Sequence, residues 1–352
     1  MLNSMGMGGI ENFIMNVYRQ INREEYQFDF VLQCEEESYF EKEITELGGK
    51  IYKIPRFEKH PISHIQKLKQ VLQQNEFVAF HRHTASSVVF IDLLIAKNCG
   101  IQNRIVHSHN TSNNGKVLNY LMRPFLFHYS TKRLACSSDA GKWLYGNRQF
   151  TVIYNGIDTE KYQFSDRIRE KVRKQLQVDD KIVIGHIGRF SLQKNHRFLL
   201  QVFSKLYQND SRYCLLLCGS GELENEMRKF CQKENIQNGV IFAGVRNDIH
   251  ELVQGMDIFL FPSFYEGLGI VLIEAQCAGL PCVISNRVPK EAIFQENVLS
   301  LDIDESSIPD WIEKIKNIQL GSFPRSKIST KLLENYDIKN VTKDLLKIYE
   351  GR

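Results

Sequence analysis

The stretch Phe264-Tyr265-Glu266-Gly267-Leu268-Gly269-Ile270-Val271-Leu272-Ile273-Glu274 places one glutamate before a glycine-rich turn and a second, after seven intervening residues, inside an apolar segment. Residues 256–262, just upstream, form a mostly apolar run bounded by turn signals, which is typical of a buried parallel strand. From Leu268 onward the apolar positions follow helical spacing. The sequence therefore predicts a strand, a turn and a helix, with Glu266 near the strand end and Glu274 about two turns along the helix.

The chemistry of this turn suits a sugar nucleotide. The backbone N–H groups at the predicted helix start are unobstructed at Gly267 and Gly269, and such groups bind a diphosphate or sugar hydroxyls. An ionised carboxylate accepts hydrogen bonds from vicinal hydroxyls. The alternative is that Glu266 is a solvated loop residue and Glu274 a helix-surface residue, because glutamate is mostly exposed in proteins.

The stretch resembles the E-x7-E signature of the family 4 glycosyltransferases, which are retaining enzymes of the GT-B fold. The run Gly188-Arg189-Phe190-Ser191-Leu192-Gln193-Lys194 resembles that family's basic pair, in which an arginine and a lysine neutralise the donor diphosphate. Residues 181–188 read as a strand, so Arg189 is expected at its carboxyl end, where α/β folds bind ligands. The resemblance implies catalytic roles for Arg189, Lys194 and Glu266. It implies donor binding at Gly188, Gly267, Leu268, Gly269, Ile270 and Glu274.

Two further loops match the family in order. Residues 213–223 read as a buried strand running into a G-x-G-x-L turn with Gly219 and Gly221. Residues 240–248 read as a strand followed by a polar loop with Val245 and Arg246. In the family these loops hold the nucleotide base, although a lone G-x-G is more often a plain turn.

Near the other end of the chain, a glycine loop and a histidine pair carry the resemblance. Gly8 and Gly9 precede an amphipathic run, which predicts a glycine loop that opens a helix. In the family this loop lies beside the donor phosphates and the acceptor, so the resemblance implies donor binding at Gly8 and Gly9. Residues 104–111 read as a strand and a loop at the place where the family carries a histidine beside the transferred sugar. His109 is the candidate and His107 the alternate, and Asn110 and Thr111 follow. The resemblance implies a catalytic role for His109 and places His107 and Asn110 on the acceptor or sugar side. A histidine at a strand end can also be purely structural.

The order of elements predicts two domains. Strand-like runs alternate with helical ones almost throughout, which implies parallel sheets covered by helices. The expected fold is α/β of the GT-B type, with two Rossmann-like β/α/β domains facing across a cleft. We expect an acceptor-side domain at 1–156, a nucleotide-sugar domain at 157–335 and a terminal segment, 336–352, whose helix at 337–349 crosses back to the first domain. In the family a hydrophobic strand precedes the glycine loop, so the first strand is expected to be truncated or missing here.

Composition narrows the class of protein. The chain has 352 residues, 43% hydrophobic and 24% charged, and a net charge of +4, which is ordinary for a globular protein and too modest for a nucleic-acid binder. The eight cysteines are scattered, without a CxxC pair or ligand-like histidine spacing, and are expected to be reduced core thiols of a cytoplasmic protein. Asp302-Ile303-Asp304 imitates a metal-binding D-x-D motif, but it lies away from the donor motifs. No signal peptide or membrane-length apolar span is found.

One segment suits a membrane surface. Residues 116–133 interleave aromatic and aliphatic residues with Lys116, Arg123, Lys132 and Arg133, a pattern that favours contact with a bilayer. The alternative is a helix largely buried against its own sheet, because the apolar residues cover more than one face.

Taken with the resemblance, these patterns imply an enzyme of the hexosyltransferase type, without a cofactor or metal. It would move a sugar from a nucleotide-diphosphate donor, with a UDP-sugar favoured, to a saccharide acceptor linked to undecaprenyl diphosphate, in exopolysaccharide or capsule biosynthesis. We expect it in the cytoplasm or on the inner face of the cell membrane. The alternatives are a nucleotide-sugar epimerase or hydrolase of the same fold, and a non-catalytic partner of another transferase.

Overall fold

The computed structural model describes residues 1–6, 8–110, 115–321 and 324–351, and it divides the chain into two units. The first unit comprises Met1–Ile157 and Asn335–Arg352, and the second comprises Asp158–Glu334. These divisions differ by one residue from the domain limits expected from the sequence. The second unit is therefore an insertion within the first along the chain.

The first unit is built on parallel strands connected by helices. A two-stranded sheet has the order β1-β2 and a four-stranded sheet the order β3-β4-β5-β6. Its elements are α1 (Gly9–Gln20), β1 (Phe30–Leu32), α2 (Glu41–Glu46), β2 (Ile51–Lys53), α3 (Pro61–Gln73), β3 (Ala79–Thr84), α4 (Phe90–Asn98), β4 (Asn103–Ser108), α5 (Lys116–Tyr129), β5 (Lys132–Ala135), α6 (Ser138–Tyr145) and β6 (Thr151–Val152).

Residues Met1 and Leu2 lie between the two sheets of this unit. The Leu2 N–H donates to the Val31 oxygen at 3.1 Å, and the His83 N–H donates to the Met1 oxygen at 3.1 Å. Leu2 also forms a parallel bridge with Leu32. The two residues thus occupy a strand position between β1 and β3.

The second unit is a six-stranded parallel sheet, in the order β12-β11-β10-β7-β8-β9, flanked by helices. Strands β8 and β10 are buried along their whole length, as continuous apolar runs in a parallel sheet require. Its elements are α7 (Thr159–Tyr162), α8 (Asp166–Leu176), β7 (Ile182–Ile187), α9 (His196–Asn209), β8 (Tyr213–Cys218), α10 (Glu224–Lys233), β9 (Val240–Gly244), α11 (Ile249–Gly255), β10 (Ile258–Phe261), α12 (Ile270–Cys277), β11 (Cys282–Ser285), β12 (Val298–Leu301) and α13 (Ile308–Asn317).

The chain re-enters the first unit through two final helices, α14 (Thr330–Tyr336) and α15 (Ile338–Tyr349). Asp337 caps α15, since its side chain accepts a hydrogen bond from the Lys339 N–H at 2.8 Å. Ile338, Val341 and Leu345 of α15 are buried in one core cluster with residues of α1. The apolar face of α15 therefore contributes to the core of the first unit.

All eight cysteines are free thiols, and six of them are buried. Burial raises the pKa of the Cys214 thiol to about 11, so it stays protonated and unreactive near neutral pH. Within the described part of the chain, no helix has both the length and the apolar character needed to cross a membrane.

Candidate active site

In the second unit, the loops that carry Lys194 and Glu266 are joined by an enclosed ion pair. The Lys194 Nζ donates to the Glu266 Oε1 at 2.7 Å, and the two side chains are only 15% and 6% exposed. The ammonium group also lies 4.7 Å from the ring centre of Phe261, within cation–π range. A backbone hydrogen bond also connects the two loops, because the carbonyl oxygen of Gln193 accepts from the Phe264 N–H at 2.8 Å. Each charge thus compensates the other where water is largely excluded.

The turn after Glu266 requires a glycine at its end. Gly269 has φ +75°, and a Cβ at this position would lie 3.0 Å from a ring carbon of Phe261. Helix α12 begins only at Ile270, two residues later than the apolar spacing predicted, because the left-handed backbone at Gly269 interrupts the helix. The Leu268 side chain is buried, so this residue can offer only its backbone to a ligand. No side chain caps the helix start, which leaves its N–H groups available.

Glu274 of α12 is half-buried. The hydroxyl of Tyr162 donates to the Glu274 Oε1 at 2.8 Å. Although Glu274 keeps some exposed surface, burial of its carboxyl raises the pKa to about 7, while the Tyr162 hydrogen bond acts in the opposite direction. The group is therefore poised between its neutral and ionised forms near physiological pH.

Arg189 differs from Lys194 in its surroundings. It lies just beyond the carboxyl end of β7, after Gly188, but its side chain is 74% exposed and pairs with Glu222 at 3.1 Å. A pair between exposed side chains contributes little to stability, so Arg189 can be redirected to an anion at small cost. The predicted basic pair thus consists of one enclosed and one exposed cation.

The glycines after β7 and β8 allow two loops to pack against each other. A Cβ on Gly219, which has φ +139°, would lie 2.1 Å from the Gly188 oxygen, and one on Gly221 would lie 2.5 Å from the Phe190 oxygen. The Phe190 N–H also donates to the Ser220 oxygen at 3.1 Å. Close backbone approach therefore explains Gly219 and Gly221, whereas a Cβ on Gly188 would meet the Lys194 side chain at 3.0 Å. Donor binding by the three glycines stays a prediction.

The loop after β9 exposes the other two residues predicted to contact the base. The Val245 side chain is 54% exposed. Arg246 forms a two-bond pair with Asp248, with distances of 2.8 and 2.5 Å. This pair orients the guanidinium group at the loop surface and leaves the apolar Val245 beside it.

In the first unit, Gly8 and Gly9 open α1 as predicted, with Gly8 as an extended N-cap. A Cβ on Gly8 would lie 2.2 Å from the Glu11 carboxylate, whereas one on Gly9 would meet nothing within 4 Å. The carboxylate of Glu11 therefore folds over the loop, and burial raises its pKa. Met7 of this loop lies outside the described residues.

His107 and His109 lie together at the carboxyl end of β4. Their ring centres are 4.1 Å apart, and the ring of Phe13 from α1 packs on both. His109 is buried and shares a 2.9 Å hydrogen bond between its Nε2 and the Nδ1 of His83. Burial lowers the pKa of His109 to about 3, so its imidazole is neutral at physiological pH. Asn110 is exposed, and Thr111 lies outside the described residues.

Sequence patterns alone did not single out three of these partners. Tyr162 is 112 residues from Glu274 and belongs to a one-turn helix, so no local signal links the two. His81 and His83 form a His-x-His pattern on β3, and their rings lie 5.4 and 5.5 Å from that of His107. The expectation that the chain has no ligand-like histidine spacing overlooked this pattern, whose meaning depends on the register of β3 with β4.

Comparison with known proteins covers both units. The family described as "Glycosyl transferases group 1" matches residues 168–331, and "Glycosyltransferase Family 4" matches residues 7–161. The Bacillus subtilis chain assigned as the glycosyltransferase EpsF is 32% identical over 99% of this chain and 94% of its own length. An Escherichia coli protein named UDP-Gal:alpha-D-GlcNAc-diphosphoundecaprenol alpha-1,3-galactosyltransferase is 25% identical over 89% of this chain and 85% of its own.

Among solved structures, that of Anabaena Alr3699/HepE in complex with UDP aligns with a TM-score of 0.83 at 17% sequence identity. The alignment covers 100% of this chain and 98% of the other. This likeness confirms the expected fold class, an α/β fold of the GT-B type with two Rossmann-like units.

Proposed function

The chain belongs to the family 4 glycosyltransferases, and from this premise we propose that it transfers a sugar from a UDP-sugar to a lipid-linked saccharide with retention of the anomeric configuration. The enclosed Lys194–Glu266 pair beside the uncapped start of α12 is the observation that carries the proposal. It brings a cation for phosphate and an acceptor for sugar hydroxyls to one place in the unit that matches the group 1 transferases.

The barrier to transfer lies in charge separation. As the bond between the sugar and the diphosphate breaks, negative charge grows on the departing phosphate oxygens. Lys194, Arg189 and the N–H groups of Gly269 and Ile270 stabilise that charge and act most strongly in the transition state. No metal at the diphosphate is needed in this scheme, because the two side-chain cations match its charge.

Rearrangement of the Lys194–Glu266 pair frees a group for each half of the donor. When the ammonium turns toward phosphate, the Glu266 carboxylate loses its 2.7 Å partner and becomes an acceptor for donor-sugar hydroxyls. Glu274 accepts from the ribose diol, and Tyr162 holds one of its carboxylate oxygens in place. Each ligand hydroxyl favours the ionised form of Glu274.

The first unit supplies His109, which we place near the transferred sugar, with His107 behind it and Asn110 on the acceptor side. Since the pKa of His109 is far below neutrality, it acts as a neutral hydrogen-bonding group. No side chain is assigned as a covalent nucleophile. The departing phosphate oxygen takes the proton of the acceptor hydroxyl, while that hydroxyl oxygen bonds to the anomeric carbon on the face that the phosphate leaves.

The choice of donor and acceptor rests on relatives. HepE is described in complex with UDP, and the Escherichia coli relative by its name uses UDP-Gal and a diphosphoundecaprenol-linked sugar. We therefore place this chain in the assembly of an exopolysaccharide or capsule repeat at the inner face of the cell membrane.

Thermal stabilisation by nucleotides tests the donor site first. Purified protein should be heated with UDP, GDP, ADP and TDP and with their sugars, because a ligand that binds the folded state raises the unfolding temperature by mass action. We expect the largest rise with UDP or a UDP-sugar, and loss of that rise in Glu274→Ala. Donor consumption that needs no acceptor would favour the epimerase or hydrolase alternative. No response to any nucleotide would favour a non-catalytic partner.

Helix α5 presents an apolar surface that suits membrane contact. Asn119 and Leu126 are its buried residues, so the alternative of a helix largely buried against its own sheet is wrong. Val117, Leu118, Tyr120, Leu121 and Phe125 are 48–75% exposed. Arg123 lies 5.6 Å from the ring centre of Tyr120, which places a cation beside this apolar face. Such a surface suits an anionic bilayer because its apolar side chains can be buried in the membrane interface and its cation is attracted to the anionic headgroups.

Sedimentation with anionic liposomes tests this surface. The protein should sediment with the vesicles at low salt and less at high salt, whereas a Val117→Glu/Leu121→Glu variant should remain largely in the supernatant. Both residues are exposed, so the variant should fold normally. Ile62→Glu, at a 71% exposed position on α3, is the matched control and should still sediment. Equal sedimentation of all three proteins would contradict membrane contact through α5.

A further inference from the structure

Three histidines of the first unit meet on one face of its four-stranded sheet. His81 and His83 alternate along β3 and therefore point to the same side, and His107 of β4 stands directly opposite His83 in the strand register. One ring nitrogen from each lies within 4.8 Å of the other two. The geometry points to a binding site for a divalent transition-metal ion of the Zn²⁺ class at His81, His83 and His107, separate from the donor-binding residues of the second unit.

The buried nitrogens of this cluster need partners. The Nε2 of His81 and both ring nitrogens of His107 are buried without a hydrogen-bond partner among the described residues. The backbone of Ile153 favours the charged form of His107 slightly, but it does not reach hydrogen-bonding geometry. A buried polar atom left unpaired costs about 1–3 kcal/mol, so three such atoms close together are unusual in a native core. One metal ion would satisfy a nitrogen of each ring.

Hydrogen bonds to neighbouring side chains occupy the Nδ1 atoms of two of the three rings. The Nδ1 of His81 lies 2.7 Å from the Tyr349 hydroxyl, and the Nδ1 of His83 lies 2.9 Å from the Nε2 of His109. If each Nδ1 carries the proton and donates it, both Nε2 atoms keep their lone pairs for a metal. Metal-bound histidines commonly use the second nitrogen in this way. Ion binding would also fix the proton of His109 on its Nδ1.

The donor set selects the class of ion. Three neutral imidazoles suit Zn²⁺, Co²⁺, Ni²⁺ or Cu²⁺ better than Mg²⁺ or Ca²⁺, which prefer oxygen ligands. Bonds of about 2.0–2.1 Å would place the nitrogens about 3.4 Å apart. The rings now lie at interplanar angles of 6–32°, so they would have to turn toward a common point to bind one ion. A cavity of about 230 Å³ is lined in part by His81 and His83.

Cobalt spectroscopy on the intact chain tests the site without any substitution. Protein stripped with a chelator and loaded with one equivalent of Co²⁺ should develop the visible absorption of a tetrahedral or five-coordinate nitrogen site, and Zn²⁺ should displace it. Protein purified from Zn²⁺-supplemented cells should retain close to one metal per chain by elemental analysis. A protein that is folded, as judged by circular dichroism, but neither retains Zn²⁺ nor develops this absorption would overturn the proposal.

Substitutions then locate the ion. His81→Gln should weaken Zn²⁺ binding at least about 100-fold, and Tyr349→Phe, which removes only the hydroxyl that orients His81, about 10-fold. His60→Gln, at an exposed histidine of the same unit, should bind Zn²⁺ as the unaltered protein does. Unchanged binding in a folded His81→Gln protein would overturn the site. If His81→Gln fails to fold, the milder variant Tyr349→Phe decides instead. Unchanged Zn²⁺ binding in that variant would then overturn the site.

Discussion

Replacing Glu274 with alanine should lower kcat/KM for the nucleotide-sugar donor by about 100-fold or more, because two hydrogen bonds from the ribose diol to a carboxylate are lost at once. The stabilisation of the protein by UDP should disappear in the same variant. Steady-state rates and nucleotide titrations measure the two effects. Tyr162→Phe should show a smaller loss of the same kind, because it leaves the carboxylate in place without the hydroxyl that orients it.

Glu234→Ala is the matched control, since Glu234 lies in the same unit at the end of α10, away from the predicted donor loops. It should keep normal turnover and normal stabilisation by UDP. A folded Glu274→Ala protein with near-normal turnover would remove Glu274 from the donor site.

The pKa of Glu274 adds a pH dependence with a definite sign. Burial raises this pKa from 4.5 to about 7, so the folded protein holds the proton more tightly than the unfolded chain. The contribution of Glu274 to stability therefore falls as pH rises from about 4.5 to about 7, by roughly 1–3 kcal/mol. Glu274→Gln, which keeps the acceptor for Tyr162, should gain stability relative to the unaltered protein at pH 8 but not at pH 4.5. Thermal unfolding at both pH values measures this. If the difference in unfolding temperature between the variant and the unaltered protein were the same at pH 8 and pH 4.5, this account would be refuted.

Replacing Lys194 with methionine should lower kcat by about 100- to 1,000-fold, the usual effect of removing one group that stabilises charge in a transition state. It should also destabilise the second unit, because Glu266 would be left enclosed without its cation. Methionine keeps an apolar stem near Phe261, so packing changes little. Single-turnover rates and chemical unfolding measure the two effects.

A double variant separates catalysis from stability. Lys194→Met/Glu266→Gln removes both charges and should recover most of the lost stability without recovering turnover. Lys233→Met, an exposed lysine of α10, is the control and should change neither quantity. Recovery of turnover in the double variant would show that Lys194 serves only to neutralise Glu266.

The parts of the fold and site with local signals were predictable from the sequence. Three such signals lie close together, between Ile258 and Cys277. They are the apolar run of β10, the glycines of the turn after Glu266 and the apolar spacing of α12. The later start of α12 follows from the left-handed backbone at Gly269, which the sequence does not specify. The Tyr162–Glu274 bond depends on tertiary packing, so sequence patterns could not reveal it.

The solvent exposure of the α5 side chains could not be predicted from the sequence either. In α5 the apolar residues cover more than one face, which favoured burial, yet only Asn119 and Leu126 are buried in the structure. Periodicity indicates which residues share a face, whereas the neighbouring elements determine which faces are covered. The same limit applies to His81 and His83, whose pattern acquires meaning only through pairing with β4.

The position of α15 has a consequence for the order of folding during synthesis. Its residues Ile338, Val341 and Leu345 complete a core that begins with Phe13 and Ile14 of α1. The ribosome therefore releases the whole of the inserted unit, residues 158–334, before the first unit has all of its core residues. The first unit to begin synthesis is thus the last to complete its core, and until then it exposes the apolar surface that α15 will cover.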